Sequence, residues 1–221
     1  MKIGYDSWYY RVITAFSNVF ASVKWQGLQA LFNNGVYWSL TEEDHDKLRE
    51  LLKPNYYIIL TRRKCHLTTY LIDFASWVAT GSGVHYTHAL MNVDNGNIRD
   101  DNDFMLMEAT AEGVHFSSFM EVFDCDSVVL LRPKGYTDQD WQETLDALLD
   151  EQGLLYDNLF DIADDTRVSC VEMCRQALMQ DENYATDFAN LEALIKKHGN
   201  NLTPQMLYDC GDFEIAFEIR R

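Results

Sequence analysis

The 221-residue sequence predicts an α+β domain, an antiparallel sheet with helices packed against it. Two observations carry that reading. Apolar runs of strand length crowd the centre of the chain, at 87–93, 104–110, 114–116 and 127–132, whereas the C-terminal third returns to helical spacing. Hydrophobic residues also make up 47% of the chain, with only three prolines and 11 glycines, so a sizeable core is available and a collagenous or Pro/Gly-rich disordered chain is excluded.

From the N-terminus, residues 7–33 read as one long helix, with Trp8, Val12, Phe16, Val19, Phe20, Val23, Leu28 and Leu31 at three- and four-residue spacing. Its other face is Ser, Asn and Gln. We treat residues 1–40 as an amphipathic helical extension and residues 41–221 as the main domain. A second helix spans 41–52, with Thr41 as its cap and acids crowding the positive end; Pro54-Asn55 stops it. A buried strand follows at 56–61, then helical spacing at 67–78. The strands at 87–93 and 104–110 are joined by an acidic, Asn/Gly-rich link, and Pro133 ends the strand at 127–132. Helices are expected at 138–152 before Gly153, at 170–179, at 187–198 before Gly199, and just after Thr203-Pro204. An alternating strand at 213–219 closes the chain.

Charge is uneven. The chain has 18 basic and 35 acidic residues, a net −17. Residues 1–40 hold Lys2, Arg11 and Lys24 against Asp6, a net +2, so the remainder carries −19. This balance excludes general phosphate-backbone binding by the main domain, and no nucleic-acid partner is expected there. The N-terminal stretch is the expected docking element, for the acidic body, a second copy, or a virion or membrane surface. Five cysteines, an odd number in a chain too long to need staples, argue for free thiols in a reducing compartment. No run approaches the roughly 18 apolar residues of a membrane span, and the N-terminus makes a poor signal peptide. A cytoplasmic or virion-associated protein is expected.

The sharpest local signal is Ser169-Cys170-Val171-Glu172, a capping-box pattern directly before an apolar-periodic stretch. Ser169 as N-cap puts Cys170 at the first helical position, where unpaired backbone N–H groups and the helix dipole favour a thiolate and a developing oxyanion. Cys174, one turn on, fits the core. A nucleophilic thiol needs a base, and His88 opens a strand directly after a flexible-looking segment. His85 is its rival from the same loop; His45, His66, His115 and His198 lack comparable context. The imidazole needs an orienting acceptor. Glu108 interrupts an apolar run and would face His88 across a hairpin centred at Ile98; a turn at Asn95-Gly96 would present Asp103 instead.

His88 at the head of a strand, Glu108-Ala109 followed by Gly113-Val114, and Tyr156-Asp157 leading to Ser169-Cys170-Val171-Glu172 together resemble the circularly permuted NlpC-type papain-like hydrolases of the YiiX/YaeF-like branch, found in bacteria, phages and poxviruses. Residues 57–61, the stretch through Leu71-Ile72, and Leu202-Thr203-Pro204 extend the likeness over roughly residues 54–220. Where the family usually has a small or hydroxyl residue after the Cys and an aliphatic one after the Glu, this chain has Val171 and Met173. The resemblance implies a permuted papain-like fold and cysteine-dependent hydrolysis or acyl transfer on an amide or ester of a peptide, peptidoglycan-type or lipid substrate. It implies Cys170 as nucleophile, His88 as base and then acid, Glu108 as orienter, and Tyr156 near the oxyanion position. No cofactor and no metal are implied.

Two other readings compete. His85, His88, Cys170 and Cys174 would supply a tetrahedral zinc set, although neither spacing is that of a standard knuckle and Glu108 would be left unexplained. A non-catalytic virion or assembly protein retaining the fold would suit the charge asymmetry. The acidic runs lack the ligand spacing of an EF-hand and read as solvated loops.

Overall fold

Strands buried on both faces organise the chain. The computed structural model describes residues 39–63, 69, 85–93, 106–157, 166–181, 183–198 and 202–221. Among these, β1 (Ile58–Arg62), β2 (His88–Asn92), β3 (Leu106–Thr110), β4 (Gly113–Ser117), β5 (Ser127–Pro133) and β8 (Phe213–Arg220) form a six-stranded antiparallel sheet in the order β4-β3-β2-β1-β5-β8. Ile58, Leu60, Met91 and Met107 point into one apolar core, while Ile59, Leu90, Leu106 and Leu130 point into a second. This two-sided burial is why the strands read as continuous apolar runs. Asn92, fully buried at the end of β2, substitutes for backbone: its Oδ1 accepts from the Tyr57 N–H at 2.7 Å and its Nδ2 donates to the Asn55 carbonyl at 2.8 Å.

Helices cover both faces. Leu48 and Leu52 of α1 (Glu42–Leu52), with Phe119, Val122 and Phe123 of α2 (Phe119–Phe123), fill the smaller core. Thr41 caps α1 through the expected reciprocal bonds with Asp44. The larger core takes α3 (Asp138–Asp150), α4 (Cys170–Leu178), α6 (Ala189–Lys197) and α7 (Pro204–Asp209). Between α3 and α4 lie two short paired strands, β6 (Leu155–Tyr156) and β7 (Arg167–Val168), in parallel. α4 packs on α3 and lies across β2 and β3.

The expected helix at 187–198 is α6, and a further turn, α5 (Tyr184–Asp187), precedes it; Phe188 separates the two because it leaves helical geometry at φ −115° and ψ 29°. Its fully buried ring is wedged among Tyr136, Tyr184 and Phe213, so the packing of one aromatic overrides the local periodicity. The elements α2, β6 and β7 are too short to show a period. The helices expected at 7–33 and 67–78, and with them the extension at 1–40, fall on residues outside those described, wholly or nearly so. No helix among the described residues is long and apolar enough to cross a membrane.

Glu151, at the C-cap of α3, is buried and its Oε2 has no hydrogen-bond partner. Burial raises its carboxyl from 4.5 to about 8. A raised folded-state value means stability that is complete below pH 4.5 and lost progressively as pH climbs to about 8. Glu151→Gln therefore stabilises the fold by up to about 3 kcal/mol at pH 7 and by almost nothing at pH 4, a difference that denaturant unfolding at the two pH values measures.

Candidate functional site

The site is assembled where the N-terminus of α4 meets the ends of β2 and β3. Ser169 caps α4: its Oγ accepts from the Glu172 N–H at 3.4 Å, and the Ser169 N–H donates to Glu172 Oε2 at 2.7 Å. Cys170 is thereby the first residue of the helix, buried at 4% exposure. Its side chain interacts with His88 by hydrogen bonding and by charge, and with the Tyr156 hydroxyl in the same way. His88 Nε2 lies 2.6 Å from Glu108 Oε2, and its side chain keeps 24% exposure while that of Glu108 keeps 8%. Cys170, His88, Glu108 and Tyr156, whose outermost members stand 82 residues apart in sequence, thus share one locus.

The register that brings His88 to Glu108 is two residues off the expected pairing, with the hairpin centred at residue 99 instead of 98. Leu90 pairs with Glu108 and Met91 with Met107, so His88 reaches the carboxylate diagonally from two positions along β2. A long polar side chain spans that diagonal. Asp103, the other candidate, lies outside the described residues.

Glu108 is held from several sides. Ser117 Oγ donates to Oε1, and His115 Nε2 is 4.0 Å from the same oxygen. β4 supplies both, because His115 pairs directly with Glu108 and Ser117 follows one alternation later. Burial alone would raise this carboxyl; the His88 bond and charge, Ser117 and the Arg63 guanidinium instead hold it down at about 2. Arg63 is fixed in turn by donating to the Glu121 and Val122 carbonyls. Burial would likewise lower the His88 imidazole, and the Cys170 and Glu108 interactions carry it up to about 10. At neutral pH the pair is imidazolium and carboxylate.

Tyr156 also reaches Cys170. Burial first, then the charges of Cys170, Glu172 and Asp157, raise its phenol well above the ordinary value, so it is a neutral donor facing sulfur. Its position follows from a chain of contacts. The Val114 N–H donates to the Leu154 carbonyl at 2.9 Å, the Gly153 N–H donates to the Val114 carbonyl at 2.9 Å, and Tyr156 pairs with Val168 two residues before Cys170. Gly113, at φ +97°, permits this approach, since a Cβ there would lie 2.4 Å from the Leu154 oxygen.

Of the remaining candidates, Cys174 is fully buried, and burial pushes its thiol well above the ordinary range. That is the reverse of what a thiolate metal ligand needs. His85 is tied through its backbone N–H to Gln205 Oε1. Among the described residues no three His, Cys, Asp or Glu side chains are grouped to hold a metal ion, so the zinc set is not assembled. The sequence reading passed over His115, Ser117, Arg63 and Gln205. Strand alternation from Glu108 across a 113–117 strand would have found the first two; Arg63 and Gln205 act through tertiary placement that leaves no local signal.

No family model matches this chain, and no curated protein matches it by sequence. A solved structure does match: the crystal structure of the metalloprotein YiiX from Escherichia coli O157:H7, at 16% identity and a TM-score of 0.55, covering 76% of this chain and 99% of YiiX. The chain has a YiiX-like α+β fold. That bears out the papain-like architecture expected for the main domain. YiiX is described as a metalloprotein, whereas the ligating side chains described here do not converge in the number a metal site needs.

The glycine contact is directly testable. Gly113→Ala strains the backbone and pushes the new Cβ into the Leu154 carbonyl. It should cost about 2 kcal/mol or more in thermal unfolding and slow alkylation of Cys170 by displacing Tyr156.

Proposed function

We propose that this protein is a cysteine hydrolase or acyltransferase of the permuted NlpC-type papain-like kind, acting on an amide or ester bond. The observation that carries the reading is the continuous chain Glu108–His88–Cys170, ending in a thiol at the capped N-terminus of α4. The sequence order His88, Glu108, Cys170 is the permuted order of the family that the sequence resembles. Burial raises the thiols of Cys125, Cys174 and Cys210, which suits inert core residues and leaves Cys170 as the reactive one among the described cysteines.

In this mechanism His88 already holds the proton that the Cys170 thiol gives up, and the sulfur attacks the substrate carbonyl carbon to form a C–S bond. The oxyanion is met by the backbone N–H groups at the start of α4, with the Tyr156 hydroxyl as a further donor. As the intermediate collapses, the C–N or C–O bond breaks and His88 returns the proton to the leaving amine or alcohol. Water, giving its proton to His88, then attacks the thioester, breaks the C–S bond, releases a carboxylic acid and restores the Cys170–His88 pair; an amine or alcohol in place of water makes the reaction an acyl transfer. Glu108 stabilises the imidazolium and fixes the ring.

Cys170→Ala should abolish turnover of thioester and ester probes without loss of fold; turnover at the wild-type rate would remove Cys170 from the mechanism. Turnover in the wild type should persist into alkaline pH and fall as His88 loses its proton at about 10. Glu108→Gln removes one of the interactions raising the imidazole, so the alkaline limb should move to lower pH and kcat/KM drop about 10²-fold, as the pH–rate profile would measure.

A further inference from the structure

The β2–β3 ladder stops at Leu90 and Glu108, so His88 and Ala89 have no partner in β3 and are held in the sheet on the β1 side, through Thr61 and Leu60. A strand end paired on one side needs another restraint if its imidazole is to stay 2.6 Å from Glu108. The restraint comes from α7. Gln205, buried, accepts from two successive backbone N–H groups through one oxygen: His85 at 2.7 Å and Tyr86 at 3.3 Å. Its amide is oriented by Nε2 donating to Asp209 Oδ1 at 3.0 Å, one turn along the helix. Both backbone partners are donors and Asp209 is an acceptor, so the carbonyl oxygen must face the His85–Tyr86 segment. Tyr208 of the same helix lays its ring 5.4 Å from that of Tyr86, whose hydroxyl bonds to Glu218 of β8.

We propose that Gln205 is a positioning residue for His88: the amide clamp on the two residues before Thr87 sets where the imidazole stands relative to Glu108 and Cys170. The role rests on the hydrolase reading insofar as it makes His88 the base. No other polar side chain on α7 does this work; Asp209 acts through Gln205, and Tyr208 contributes a ring contact and bonds to Arg220 and Glu218.

The test is the titration of the His88 ring, followed by imidazole NMR in the resting protein, with the rate of Cys170 alkylation at pH 7 as a second readout. Gln205→Leu keeps bulk and removes the acceptor; it should return the His88 midpoint toward that of an ordinary histidine and slow alkylation about tenfold or more. Gln205→Glu keeps an acceptor oxygen but loses the amide donor to Asp209, so it should displace both readouts in the same direction by less than Gln205→Leu. Leu207→Ala, a buried change on the same helix with no bond to the segment, should lower Tm and leave the His88 midpoint in place. Asp209→Ala, an exposed change that frees the Gln205 amide, should move the midpoint in the same direction by less, and it serves if Gln205→Leu does not fold. A wild-type midpoint in Gln205→Leu or, failing that variant, in Asp209→Ala would overturn the proposal, as would an equal displacement in Leu207→Ala. Because the midpoint is read without substrate, it judges the clamp even if the wild-type protein turns over no ester or amide, a result that would count against the hydrolase reading alone.

Discussion

A carboxylate inside a sheet must be answered by donors, and the bond between Glu108 and His88 is the answer around which this molecule is arranged. Glu108 has 6% of its surface exposed, and beyond His88 its charge is steadied by Ser117 of β4 and by the Arg63 guanidinium. The β3–β4 pairing fixes the first of these, and the Glu121 and Val122 carbonyls of α2 fix the second. The ion pair thus links two strands of the sheet to the helix below it. It also couples folding to chemistry, because the bond that helps to keep Glu108 charged also helps to keep His88 protonated beside the Cys170 sulfur.

Much of this was legible in the chain, for identifiable reasons. The Ser169–Glu172 box is a local device, written in four consecutive residues, and so Cys170 could be placed at a helix start before any tertiary information. Glu108 was legible because a charge inside Phe104–Ala109 is conspicuous against its apolar neighbours. The hairpin register was not: shifting the centre from residue 98 to 99 replaces a direct facing pair by a diagonal, and nothing in the acidic link between the strands measures that single step. His115 carries no sequence signal because its importance comes only from standing across from Glu108. Gln205 lies 117 residues from His88 and bonds to backbone, which carries no side-chain signature for a pattern to register.

The same contrast separates the helices. Four of them begin with a reciprocal cap: Thr41 with Asp44, Ser118 with Glu121, Thr137 with Asp140, and Ser169 with Glu172. Three of these caps are exposed and do the ordinary work of starting a helix. In the fourth, Glu172 is 3% exposed and its Oε1 has no partner, and burial raises its carboxyl. Burying a cap in this way costs stability. It is the local condition for starting α4 deep enough to bring Cys170 against the sheet.

The contact of Gly113 with Leu154 has a consequence for how such a domain can diversify. Glu108 and its β4 donors lie on one side of that contact, and Tyr156 and Cys170 are reached through the other. A replacement β4 would therefore need a glycine at position 113, because a side chain there meets the Leu154 carbonyl, whereas the backbone N–H at position 114 comes with almost any residue. The acidic half of the site and the thiol half are thus held at contact distance by one missing methyl group.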